Sequence, residues 1–143
     1  MIAVDTNLLV YAHREDTPWH GAALKAIQSL ADGISPWAIP WPCVHEFLAI
    51  VTHPRIYRPA TPPGIALAAV RAWMDSSSLH MIGEGPDYFS RLEELVRAGK
   101  VVGPMIHDAR IAAICLDHGI RTFWTADRDF SRFPALKTKN PLV

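Results

Sequence analysis

The chain has 143 residues, of which half are apolar and a fifth charged, and its 14 basic and 14 acidic residues cancel to a formal net charge of zero. This length suits one domain, residues 1–143, whose core needs no disulfide staples, and the composition excludes disordered, collagenous and membrane-embedded classes. The balanced charge excludes a global positive field, so any contact with nucleic acid has to rest on local charge.

Ile2-Ala3-Val4 is a short apolar run that ends in Asp5, and residues 7–12 read as helix, the pattern of a buried parallel strand feeding a helix. A second helix follows from Pro18, a first-turn residue, with Trp19, Ala22, Ala23, Ala26, Ile27 and Leu30 at helical spacing and Gly33 at its end. Residues 37–41 form the next predicted strand, confined by Pro40 and Pro42, and residues 44–51 the next helix, stopped by His53-Pro54. Residues 54–63 hold four prolines with Arg55 and Arg58 and read as a basic loop. A helix is predicted over residues 65–74, a strand over 79–82, an amphipathic helix over 87–97 closed by Gly99, and a helix from Pro104 to about His118. Residues 122–125 are an apolar strand leading into Ala126-Asp127-Arg128-Asp129-Phe130, and residues 136–138 an edge strand. Strands that alternate with helices imply a parallel sheet covered on both faces, an α/β fold in three layers.

Met1 to Val4 runs into Asp5 without a basic start, a long apolar stretch or a small-residue cleavage site, and no apolar run approaches the roughly 20 residues that cross a bilayer. A cytoplasmic address is expected, with no membrane partner. Cys43 and Cys115 sit among apolar neighbours without metal-ligand spacing and are expected in the core.

The chemistry concentrates in carboxylates. Asp5 and Asp127 each follow a predicted strand, and in an open parallel sheet the carboxyl ends of strands border the ligand crevice. Either could instead simply cap the helix that follows. Glu46 shares a helical face with Cys43, Ala49 and Ile50, and Asp108 shares one with Ile111, Ala112 and Cys115, so both acids interrupt apolar stripes. A buried carboxylate costs several kcal/mol unless it finds a cation, a hydrogen-bond network or a proton. An arginine could answer for one such site, but several acids on one edge repel each other unless a multivalent cation sits between them. Oxygen-only ligands suit magnesium or manganese. Asp129 stands as a fifth ligand or a surface acid, with Asp127 the inner of the two, and Thr6, Asn7 and Thr125 supply neutral oxygens beside the strand ends. Arg110 and Arg128 are the arginines nearest these acids and are candidates for phosphate contact. The seven histidines lack zinc-ligand spacing, and neither a glycine-rich phosphate loop nor a Gly-x-Ser-x-Gly elbow is present.

With Ile2-Ala3-Val4-Asp5-Thr6-Asn7, Val44-His45-Glu46-Phe47, His107-Asp108-Ala109-Arg110 and Thr125-Ala126-Asp127-Arg128-Asp129-Phe130 in this order, the sequence resembles the PIN-domain nucleases over nearly its whole length. Among them it is similar to the VapC-like toxins of bacterial toxin–antitoxin pairs. The resemblance implies a three-layer α/β/α fold with a short, mostly parallel sheet, endonucleolytic cleavage of RNA with magnesium or manganese, homodimerisation and inhibition by a small antitoxin. It also implies an acidic pocket of Asp5, Glu46, Asp108 and Asp127, with Asp129 as the alternative in the fourth place. The alternatives are a magnesium-dependent phosphohydrolase or phosphotransfer domain of the doubly wound class, which would use a strand-end aspartate as nucleophile, and a noncatalytic RNA-binding module of the same fold. The sequence lacks the Asp-x-Asp opening of the former, since Thr6 and Asn7 follow Asp5.

Overall fold

A computed structural model describes residues 1–143. Five strands form one sheet: β1 (Ile2–Val4), β2 (Trp37–Pro40), β3 (Leu79–Ile82), β4 (Thr122–Trp124) and β5 (Thr138–Lys139). Six helices connect them: α1 (Thr6–His13), α2 (His20–Asp32), α3 (Trp41–Val51), α4 (Pro63–Met74), α5 (Tyr88–Gly99) and α6 (Met105–Asp117), and a 3-10 turn covers Arg128–Arg132. The strand order is β3-β2-β1-β4-β5, and every neighbouring pair is parallel.

Parallel strands demand crossovers, and those crossovers are right-handed almost without exception. Moving from β1 through β2 to β3 therefore lays α1 to α4 on one face, and the return from β3 to β4 lays α5 and α6 on the other. The helix contacts agree: α1 packs on α2 and α3, α3 packs on α4, and α5 packs on α6. The sheet is buried between these layers, which is why β1 and β2 read as continuous apolar runs. One core cluster joins both faces, with Trp37, Phe47 and Phe123 fully buried, and Phe123, Phe130 and Phe133 meeting edge to face.

Several element ends differ from the sequence reading, each for a local reason. Helix α3 starts at Trp41 rather than Val44, because Pro42 lies in the first turn, where its missing amide is no loss. Helix α2 starts at His20 because Arg14 to His20 turns back on itself, with the Thr17 and His20 amides donating to the carbonyls of Arg14 and Thr17. Strand β5 begins two residues later than expected, since Leu136 is drawn into the core by a turn in which its amide donates to the Phe133 carbonyl.

Candidate metal centre at the sheet switch point

The chain leaves β1 in one direction and returns to β4 on its other side, so the topology reverses between these two strands. Open parallel sheets present a crevice outside the carboxyl ends of their strands at such a switch point. Asp5 follows β1 there, and Thr125 and Asp127 follow β4.

Asp5 is 4% exposed and held from two sides. Its Oδ1 accepts the Thr6 amide at 2.7 Å and the Cys43 thiol at 3.7 Å, while its Oδ2 accepts the Thr125 hydroxyl at 2.6 Å and the Asn7 side-chain amide at 3.4 Å. Thr125 Oγ1 in turn accepts the Asp127 amide at 2.9 Å and Asn7 Nδ2 at 3.3 Å, and Asn7 Oδ1 accepts the Ala126 amide at 3.2 Å. Asn7 and Thr125 thus fasten the end of β1 to the end of β4 around the Asp5 carboxylate. Thr6 reaches the other way, its hydroxyl donating to Glu46 Oε2 at 2.8 Å. The capping reading of the strand-end acids is seen for both: Asp5 caps α1 through Oδ1, and Asp127 caps the 3-10 turn by accepting the Asp129 amide on Oδ1 at 2.8 Å. In Asp127 the second oxygen stays open for other work.

Asp108 lies in the first turn of α6, at the head of a stripe whose Ile111, Ala112 and Cys115 are buried as expected. Carboxylate oxygens of Asp108, Asp127 and Asp129 lie within 4.8 Å of one another. Asp129 therefore belongs with Asp127 although its side chain is exposed. Burial pushes the Asp5 carboxyl up to about 7, reinforced by the charges of Glu46 and Asp108 and opposed by its bonds from Thr125 and Thr6. Burial likewise pushes Asp108 up to about 6, with Asp127, Glu46 and Asp129 adding repulsion. Asp108 is the link between the outer acids and the buried Asp5 with its neighbour Glu46.

No cation of the chain neutralises this cluster. The three ion pairs are Arg14–Asp16, Arg97–Glu93 and Arg110–Glu84, none of which involves the five acids. Arg110, expected as a phosphate contact, pairs in this structure with Glu84 through bonds of 3.2 and 3.4 Å. Arg128 is exposed beside Asp127 and carries no ion pair. The stripe assigned to Glu46 is corrected: α3 buries Cys43, Val44, Phe47 and Val51, whereas Ala49 is exposed, so Glu46 stands at the margin of the core and not within it. Cys43 is the contact sequence reasoning missed; it occupies the core position expected, yet its thiol meets Asp5. Its place one turn before Glu46 on the same helical face was the available signal.

Acidic residues gathered at the switch point of a fully parallel, doubly wound sheet define a class of small α/β proteins with an oxygen-rich acidic cluster at the sheet edge. The sequence pattern of the PIN domain matches residues 2–136, and the chain belongs to that family. Ribonuclease VapC43 of Mycobacterium tuberculosis is 32% identical over 142 residues, covering 99% of this chain and 96% of the relative. Ribonuclease VapC25 of the same organism is 30% identical over 144 residues, covering all of both. Among solved structures, the M. tuberculosis toxin VapC20, described as cleaving the sarcin–ricin loop, superposes with a TM-score of 0.67 at 23% identity, over 92% of this chain and 93% of that one. VapBC2 of Rickettsia felis, bound to a DNA fragment from its promoter, gives a TM-score of 0.67 at 21% identity, over 98% of each chain. These structures share the fold.

Proposed function

We propose that the chain is a metal-dependent endoribonuclease that hydrolyses RNA phosphodiester bonds, and that it is the toxin of a toxin–antitoxin pair. The observation that carries this reading is the convergence of Asp5, Glu46, Asp108, Asp127 and Asp129 without any arginine or lysine among them, two of them with pKa values raised by burial and mutual repulsion. Such a cluster needs a proton or a multivalent cation, and its donors are all oxygen, which fits magnesium or manganese. The relatives named as VapC ribonucleases support RNA as substrate. The solved toxin–antitoxin complexes of the same fold support a small antitoxin as partner. We propose a cytoplasmic single domain that forms a homodimer.

In this reading Asp108, Asp127 and Asp129 would hold the cation, and Glu46, which accepts the Thr6 hydroxyl, would add a further carboxylate. Asp5 completes the set from the sheet edge, oriented by Thr125 and Asn7. When bound, the cation supplies Lewis-acid charge that activates water and offsets the charge developing on the scissile phosphate. The protein contributes positioning, since the one thiol at the cluster, Cys43, is fully buried and burial pushes its pKa up. The phosphohydrolase alternative lacks its Asp-x-Asp opening, since Thr6 and Asn7 follow Asp5, and this favours hydrolysis by water.

The test is cleavage of a mixed set of structured RNAs by the purified chain with magnesium, manganese or excess EDTA, beside Asp108→Asn. Metal-dependent cuts that vanish in the variant are expected. Cuts that persist in EDTA or in the variant would overturn the assignment, and silence in every condition, with copurified antitoxin excluded by mass spectrometry, would favour the noncatalytic RNA-binding module.

A further inference from the structure

A small cavity of about 180 Å³ lies beside the acidic centre, lined by Tyr11, Trp19, Ala126, Asn140, Leu142 and Val143. Three observations connect it to the chemistry. Ala126 sits between Thr125 and Asp127, and its amide is bonded to Asn7, so one wall of the cavity is the same backbone that carries the acids. Tyr11 lies four residues after Asn7 on α1, which places it one helical turn, about 5.4 Å, from the residue that fastens β1 to β4. Trp19 is 43% exposed at the start of α2 and lies outside the core cluster.

The cavity is smaller than the roughly 300 to 1,000 Å³ of pockets for drug-sized ligands, and its volume suits a single planar ring system. Two aromatic rings line it. Its one side-chain amide, Asn140, accepts the Leu142 amide on Oδ1 at 3.0 Å, and its Nδ2 forms no hydrogen bond within the chain. An amide group retains both donor and acceptor capacity in this state, which matches the edge of a nucleobase. Aromatic faces bind any base by stacking, and sequence-specific recognition of RNA works on unstacked bases from loops and single strands.

We propose that this cavity is a nucleobase subsite, which takes one unstacked base of the RNA flanking the scissile phosphate, stacks it on Trp19 and Tyr11 and reads its edge with Asn140. The assignment rests on the ribonuclease reading for its context, but its test does not depend on cleavage. Uncharged probes avoid repulsion from the acids, so the full chain, labelled with nitrogen-15, is titrated in EDTA with adenosine, guanosine, cytidine and uridine while the Trp19 indole and Asn140 side-chain amide signals are followed. Saturable shifts at both are expected for at least one nucleoside. Trp19→Ala is expected to weaken that binding by about ten-fold or more, Trp19→Phe to retain it, and Asp108→Asn to leave it unchanged. Asn140→Ala decides the question if Trp19→Ala fails to fold, and is expected to narrow the differences between nucleosides. Shifts for none of the four probes, or equal binding by Trp19→Ala or Asn140→Ala, would overturn the subsite and leave the cavity to a side chain of a protein partner. RNA cleavage measured in parallel separates the two readings. An active enzyme indifferent to nucleosides loses only the subsite, whereas an inactive chain that binds them loses only the nuclease.

Discussion

Asp5 and Asp108 carry similar charge in one cluster, yet losing that charge should affect them in opposite ways. The Asp108 carboxylate makes no hydrogen bond within the chain, and burial and three neighbouring acids raise its pKa against a smaller opposing effect of His107, so an isosteric amide chiefly removes repulsion. Asp108→Asn is expected to abolish metal-dependent cleavage and to raise the unfolding midpoint of the metal-free protein at pH 8. Asp5 instead accepts donors on both oxygens, from the Thr6 amide on one and from Thr125 and Asn7 on the other. Whichever way an asparagine is turned, its NH2 group faces a donor, and leaving such buried groups unmatched costs about 1–3 kcal/mol. Asp5→Asn is therefore expected to lose stability at pH 5.5, where relief of charge contributes little, and chemical denaturation of both variants at the two pH values checks the contrast. A gain in stability from Asp5→Asn at pH 5.5 would contradict this account of its network. The candidacy of these acids was legible because strand ends and interrupted apolar stripes are local patterns. The bond from Thr125 to Asp5 spans 120 positions and that from Arg110 to Glu84 spans 26, so both depend on which strands and loops become neighbours, and spacing could not show them.

Element ends show the same division between local and distant causes. Gly99 marks a helix end in the sequence and is the last residue of α5, but the residue that takes the left-handed conformation is Lys100, at φ +50°. Gly99 is small for a different reason: a Cβ there would lie 3.1 Å from Val101 Cγ2 and 3.5 Å from the Arg132 carbonyl oxygen. The glycine belongs to a close approach between α5 and the turn after β4, and the strain of the C-cap falls on lysine. A non-glycine residue held left-handed costs about 1–2 kcal/mol, of which glycine gives back part through its freer unfolded chain. Lys100→Gly is expected to gain about 0.5–1 kcal/mol, seen as a higher urea midpoint with unchanged slope. A lower midpoint would mean that Lys100 makes a compensating contact. The alternation of strands and helices was legible because each element carries its own period of burial. The starts of α2 and α3 were displaced by a turn and by a first-turn proline, features that act over three or four residues and leave the periodic pattern intact.

At the scale of the molecule, a net charge of zero conceals an acidic centre at the switch point, and the strand order that creates it is set by pairing of β1 with β4, far apart in the chain. Sequence patterns gave a parallel sheet but not which strands would be central. The consequence is a protein whose stability should depend on pH and cation together. Asp5 and Asp108 have folded pKa values of about 7 and about 6, above the ordinary 3.8, so between about pH 4 and 7 the folded state binds more protons than the unfolded. Stability then falls as pH rises through this window, because the folded state must give up protons that the unfolded chain has already lost. His13 acts in the opposite direction, since burial lowers its pKa below 6.5 and favours its neutral folded form as pH rises, but it lies at the far end of α1 and takes no part in the acidic cluster. A cation separates the two contributions, because it competes with protons for the carboxylates alone. In EDTA the unfolding midpoint is expected to fall between pH 5 and pH 8. Manganese at about one hundred times its dissociation constant should restore about 2.7 kcal/mol at pH 8. The same concentration should restore clearly less at pH 5, where protons already occupy Asp5 and Asp108, and Asp108→Asn should lose most of the gain at both. An equal gain at pH 5 and pH 8, or one that survives in Asp108→Asn, would mean that the cation binds elsewhere and that the five acids do not act as one site.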